Sequence, residues 1–84
     1  MKSIVRESLE VMLRKVNREI AVIEARLQRM AARLGVSSWR KLEELFTGKG
    51  LDNHEVDMLW PEYLYLRKRL EELEKRRKDI LVGF

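Results

Sequence analysis

A long stretch without glycine or proline covers residues 3–34 and reads SIVRESLEVMLRKVNREIAVIEARLQRMAARL. Its apolar residues recur at steps of three and four, as Val5, Leu9, Met12, Val16, Ile20, Ile23, Leu27, Met30 and Leu34. A mean step of about 3.6 is typical of one helix with a continuous apolar stripe. Gly35 follows where a residue with left-handed backbone conformation commonly ends a helix. We therefore expect a long helix over about 3–34.

A short second helix is predicted over about 38–47. Ser37 and Ser38 are residue types that favour the N-cap of a helix, and large apolar side chains follow on one face. A helix of this length is not stable alone in water, because nucleation costs more than so few hydrogen bonds return. We expect it to cover the open end of a pair of longer helices, with residues 48–50 forming the next turn.

A third helix is predicted over about 53–82. Asp52 followed three residues later by Glu55 is typical of a capping box at a helix start. Pro61 lacks the N–H that an interior helical position needs, so a kink or a restart is expected near 60–61. Farther on, apolar residues repeat with the heptad spacing of a coiled coil.

The three helices predict a single all-α domain over residues 1–84. Because the connector is short, the third helix must run back antiparallel to the first and form a helical hairpin. Some apolar residues lie outside the hairpin seam and predict a homodimer that forms a four-helix bundle. The candidate dimer interface consists of Val11, Leu13, Ala21, Val22, Ala25 and Leu64. The alternative is that the short helix covers these flanks within one chain.

Composition argues against several classes of function. The chain has no cysteine and one histidine, so disulfides and thiolate metal sites are excluded, and we expect no metal or cofactor. His54 has no neighbouring signature for a nucleophile, so we expect no enzymatic activity. No apolar run approaches the roughly 18 residues of a membrane span, which favours a cytoplasmic protein without a membrane partner. The 38% charged content is typical of proteins from hot environments.

An acidic segment rich in aromatic residues precedes the heptad region and is a candidate docking site for another protein. Trp and Tyr dominate the energetics of many interfaces. The candidate partner-binding residues are Asp57, Trp60, Glu62, Tyr63 and Tyr65. The alternative is that Trp60 and Tyr63 pack on Trp39 and Phe46 as a small core at the turn.

Basic residues form a second candidate surface, because lysine and arginine can neutralise nucleic-acid phosphates. This candidate nucleic-acid face consists of Arg14, Lys15, Arg18, Lys75, Arg76 and Lys78. Acidic residues accompany most of these cations, so a solvated face of ion pairs is the preferred interpretation.

The middle of the chain resembles small prokaryotic helical-hairpin proteins that act as antitoxin-like partners of a neighbouring toxin. The resemblance covers about residues 30–75 and rests on Leu34-Gly35-Val36-Ser37-Ser38-Trp39 followed by Leu42, Phe46, Gly48, Asp57, Trp60 and Tyr63. It implies a protein-binding role and assigns no active residues. The sequence thus predicts a non-catalytic interaction module, antitoxin-like or adaptor, with a nucleic-acid binder or a structural oligomer subunit as alternatives.

Overall fold

The computed structural model describes the backbone of residues 2–47 and 54–83, and the side chains of residues 8–47 and 55–83. Helix α1 spans Lys2–Arg33, a 3-10 turn over Trp39–Lys41 leads into α2 at Leu42–Thr47, and α3 spans His54–Val82. The all-α prediction is confirmed for these residues. The predicted turn at 48–50 and the predicted cap at Asp52 lie outside the described residues. Within the described ranges, no helix combines the length and apolar character that a membrane crossing requires.

Helix α1 packs antiparallel against α3. An ion pair joins Arg33, at the end of α1, to Glu55, at the start of α3. A second ion pair joins Glu19, in the middle of α1, to Arg69, in the middle of α3, with 2.9 Å between Oε2 and Nη2. Residue numbers therefore rise along α1 as they fall along α3. The hairpin measures 58 × 18 × 18 Å.

The core lies along the seam between the two long helices. It contains Val16, Ile20, Ile23, Leu27 and Met30 from α1 and Tyr63, Leu66, Leu70, Leu73 and Ile80 from α3. The spacing of three and four places each set on one side of its helix. Full burial of one such aliphatic side chain contributes about 1.5–3 kcal/mol, so this seam is the main source of stability in the hairpin.

Gly35 ends the turn that follows α1. Its φ of +77° lies in the left-handed region, where a side chain would be strained. The Val36 N–H donates to the Ala31 carbonyl at 2.8 Å, and the Gly35 N–H donates to the Ala32 carbonyl at 3.2 Å. This pair of bonds is the Schellman arrangement, which satisfies carbonyls at the end of a helix. The chain is thereby turned back toward α1.

The short helix α2 packs on one side of the hairpin near its turn end, and we call this side the covered face. Leu42 is fully buried and anchors the segment. The Phe46 ring packs at 5.3 Å from the Trp60 ring and at 4.6 Å from the Tyr63 ring, measured between centroids. Upstream, the Gln28 side-chain oxygen accepts from the Trp39 N–H at 3.2 Å. These contacts join α2 to α3 and join the preceding 3-10 turn to α1.

Helix α3 is continuous through Pro61, where the sequence predicted a kink or a restart. Both Pro61 and Asp57, whose carbonyl would receive the missing hydrogen bond, are exposed. Water can therefore solvate that carbonyl, and the proline ring meets no packed neighbour. This exposure explains why the helix does not restart at the proline.

Candidate functional site: an open face of the hairpin

The broad face opposite α2 holds two adjoining grooves between α1 and α3. The first has a volume of about 420 Å³ and is lined by Arg18, Glu19, Val22, Ile23, Arg26, Tyr65, Leu66 and Arg69. The second has a volume of about 350 Å³ and is lined by Arg26, Arg29, Met30, Arg33, Leu59 and Glu62. Arg26 borders both, so the two grooves adjoin at this residue. We call this surface the open face.

Large apolar side chains stand exposed on both sides of the grooves. Val22 of α1 is 49% exposed, and Tyr65 of α3 is 64% exposed. Val11 lies three helical turns before Val22 and therefore on the same side of α1. Met58 lies two turns before Tyr65, on the same side of α3. Val11 and Met58 are also exposed. The open face therefore has an apolar strip that nothing covers in the described part of the chain.

The two sides of the open face carry different charge. The α1 wall has five cations and one acid, and it consists of Lys15, Arg18, Glu19, Val22, Arg26, Arg29 and Arg33. The α3 wall has three acids and two cations, and it consists of Glu55, Met58, Glu62, Tyr65, Arg69, Glu72 and Arg76. Formal charge is thus +4 on the α1 wall and −1 on the α3 wall. The α1 wall is therefore strongly cationic, and the α3 wall is weakly acidic.

Ion pairs use only part of this charge. Arg69 lies between Glu19 at 2.9 Å and Glu72 at 3.4 Å, and the hydrogen bond with Glu19 raises the pKa of the Arg69 guanidinium. Among the charged residues that line the two grooves, Arg18, Arg26, Arg29 and Glu62 make no side-chain hydrogen bond or ion pair with any described residue. Three guanidinium groups and one carboxylate remain available to an incoming surface.

The candidate partner-binding residues are divided between the two faces. Glu62 and Tyr65 lie on the open face, and Asp57 is exposed. Tyr63 is only 5% exposed, and Trp60 packs on Phe46 on the covered face. A small core at the turn was the alternative to docking that the sequence left open. That alternative holds for Tyr63 and in part for Trp60.

The aromatic cluster of the covered face has its own electrostatics. The guanidinium carbons of Arg40 and Arg67 lie 4.8 and 5.4 Å from the centre of the Trp39 ring, within the range of cation–π attraction. Burial raises the pKa of the Tyr63 hydroxyl, and the neighbouring Arg67 opposes that shift. Arg67 thus lies near both Trp39 and Tyr63, which favours a structural role for this cluster.

The candidate dimer residues do not share one face. Val11 and Val22 lie on the open face, whereas Leu13 precedes Val22 by nine residues, a separation that places it on the opposite side of α1. Leu13 is half-buried against the core. Leu64 is exposed and lies one turn after Trp60, on the covered side, and Ala21 and Ala25 are exposed on the outer side of α1.

The candidate nucleic-acid residues are all exposed, and they too are distributed around the hairpin. Lys15, Arg18 and Arg76 belong to the open face, while Arg14, Lys75 and Lys78 point elsewhere by helical spacing. Arg26 and Arg29, which the sequence also shows as basic residues farther along α1, line the grooves. The step of four from Arg18 through Val22 to Arg26 makes Arg26 a neighbour of the apolar strip.

Among the described residues, no group of three or more acidic or histidine side chains is arranged to hold a metal ion. Comparisons of the chain with family models, with curated proteins and with solved structures find no match. The open face therefore has to be interpreted from its own chemistry. Its apolar strip, free guanidinium groups and free carboxylate suit contact with another charged helical surface.

Proposed function

We propose that this chain is a non-catalytic protein-interaction module that binds another helical surface on its open face. One observation supports this function above the others: α2 packs on one side of the hairpin near the turn, while the opposite side keeps Val22 and Tyr65 exposed beside two adjoining grooves. Exposed apolar strips bordered by polar groups commonly mark protein contacts. A hairpin that gains a third or fourth helix on this face becomes a bundle.

The residue types of the open face fit this role. Arginine and tyrosine are enriched at the centres of protein interfaces, because both offer large contact area together with directed hydrogen bonds. Tyr65 and Arg26 line the first groove from opposite walls. An amphipathic helix laid in the grooves would place apolar residues on Val22 and Tyr65 and acids near the α1 wall. An antitoxin-like protein or an adaptor would bind its partner in this way.

A second candidate function is nucleic-acid binding, favoured by the three unpaired arginines of the α1 wall. Phosphates spaced along a strand would contact Arg18, Arg26 and Arg29. Such binding weakens steeply as salt rises, because each neutralised phosphate releases counterions. Contact through Val22 and Tyr65 would weaken far less with salt, since apolar burial is not screened.

We predict that Val22→Asp and Tyr65→Asp each abolish retention of a protein partner by the tagged chain, because each places a charge in the apolar strip. The measurement is affinity purification from native lysate, with and without nuclease and at low and moderate salt, followed by mass spectrometry and recovery of bound nucleic acid. Both side chains are about half or more exposed, so the fold should persist, and circular dichroism checks this.

Leu64→Asp is the matched control, because Leu64 is 46% exposed but lies on the covered side. Partner retention should survive this change. Loss of the partner with Leu64→Asp but not with Val22→Asp would reject the open face as the binding surface. Recovery of nucleic acid alone, lost at moderate salt, would establish the second candidate function instead.

A further inference from the structure

We infer that the surface that occupies the open face is a second copy of this chain, related to the first by a two-fold axis parallel to the long axis of the hairpin. This inference rests on the proposed function and names the partner for the same surface. In the assembly, each α1 wall lies over the α3 wall of the other copy. The turn ends of both hairpins lie at the same end of the resulting four-helix bundle.

The register within one chain shows which residues would meet. Arg33 is level with Glu55, and Glu19 is level with Arg69, as their ion pairs demonstrate. Residues between these levels line the grooves together, with Val22 opposite Tyr65 and Arg26 opposite Glu62. A two-fold axis along the hairpin keeps every residue at its level and exchanges α1 for α3. Val22 then meets the partner's Tyr65, and Arg26 meets the partner's Glu62.

Charge complementarity selects this orientation. The α1 wall, at +4, faces an α3 wall at −1, and the two-fold axis repeats the attraction. The free guanidinium of Arg26 gains the free carboxylate of the partner's Glu62. Glu19 and Arg69 form an ion pair within each chain, so neither charge is left unpaired when the interface buries them.

The other two-fold arrangement has its axis across the hairpin and places one α1 wall on the other. Two surfaces of +4 would then face each other, and arginines would meet arginines along the whole length of α1. Like charges in contact across an interface cost affinity and suppress wrong pairings. The axis parallel to the hairpin is therefore the arrangement that the charges favour.

The size of the face is also adequate. One side of the hairpin has a projected area of 58 × 18 Å, roughly 1,000 Å², and specific interfaces bury about 800 Å² on each partner. Every helix in the resulting bundle has two antiparallel neighbours, so helix dipoles oppose each other throughout. One hairpin alone leaves this face in water, which is the usual difficulty for a chain of this length.

The test is a pair of charge reversals, Arg26→Glu and Glu62→Arg. Either variant alone places like charges at two symmetric contacts, so each should weaken self-association at least about tenfold relative to wild type. An equimolar mixture of the two variants should form a heterodimer with affinity close to wild type. In that heterodimer the two reversed side chains meet each other with opposite charges at one contact, and the native pair is retained at the other. Sedimentation equilibrium with one labelled variant measures both effects.

Mixing separates contacts between chains from contacts within one chain. Arg26 and Glu62 line the same groove, so each reversal also places like charges within its own chain, and mixing does not relieve that effect. Urea unfolding of each variant measures it. Lys78→Glu is the control reversal, because Lys78 is exposed on the covered side and should leave self-association unchanged.

Three outcomes would overturn the inference. They are a monomeric wild-type chain at tens of micromolar, a mixture that remains as weak as its components, and stronger association of Arg26→Glu alone. The last result would indicate that one α1 wall packs on the other. A monomeric wild type that still loses a protein partner on Val22→Asp would reject the second copy and retain the proposed function.

Discussion

Tyr63 shows how one residue can be mistaken for part of a binding surface. Its ring is nearly fully buried, with Phe46 at 4.6 Å and Trp60 at 5.8 Å between centroids. The sequence places Tyr63 beside Glu62 and close to Tyr65, but a step of one residue on a helix rotates the side chain by about 100°. Tyr63 therefore points to the seam, whereas Glu62 and Tyr65 point to the open face.

The buried phenol predicts a loss of stability at high pH. Burial raises the pKa of Tyr63 in the folded chain above its ordinary value of 10.0, because the anion is poorly solvated there. The unfolded chain therefore releases this proton first, and the free energy of unfolding falls as pH rises from 10 through the folded pKa. Below pH 10 this contribution is fully present.

Tyr63→Phe removes the ionisable group and keeps the ring. Urea unfolding of both proteins at intervals from pH 7 to pH 11 should show the wild type losing stability relative to the variant only above pH 10. Curves that stay parallel over the whole range would show that the Tyr63 hydroxyl ionises equally easily in both states.

At the scale of the element, the ends of α1 were readable from sequence and the course of α3 was not. The apolar stripe and Gly35 are local signals, and the helix ends at Arg33, one residue before the predicted end. The consequence of Pro61 depends on whether its surroundings are solvent or packed protein. Whether Pro61 meets solvent or protein depends on how α1 pairs with α3, and the residues next to Pro61 in sequence do not reveal that pairing.

Replacing the exposed proline should stabilise α3. Pro61→Ala restores an N–H that can donate to the Asp57 carbonyl, and proline costs up to about 3 kcal/mol in a helix interior, so we expect the free energy of unfolding to rise by about 1–3 kcal/mol. Glu71→Ala, also exposed on α3, is the control and should change stability by a few tenths of a kcal/mol. A decrease for Pro61→Ala would mean that proline acts mainly by restricting the unfolded chain.

The short helix should depend on one side chain. Leu42 is fully buried where α2 begins, and its truncation to alanine would leave a cavity under the segment. We expect Leu42→Ala to lower the free energy of unfolding by about 2–4 kcal/mol, measured by urea titration. Leu64→Ala, which removes an exposed leucine, should cost less than about 1 kcal/mol. Equal effects would show that α2 contributes little to the packed core.

At the scale of the whole molecule, the open face emerges only from the pairing of the two long helices. Arg26 and Glu62 are 36 residues apart in sequence and line one groove because the hairpin register brings them level. Helical spacing alone distinguishes buried from exposed residues, but it does not tell on which side of the hairpin an exposed residue lies. For this reason Val22 and Leu64 were both assigned to one interface. Only the position of α2 reveals that they lie on different sides.

The proportions of the hairpin affect how its mass would be measured. A body of 58 × 18 × 18 Å experiences more friction than a sphere of equal mass, so a single chain elutes from a sizing column earlier than its mass requires. Pairing along the broad face would add cross-section without adding length, and the assembly would be rounder than its parts. The frictional ratio should therefore fall when two chains associate, and the elution volume should change less than a doubling of mass suggests. Light scattering, which reports mass independently of shape, distinguishes the two species.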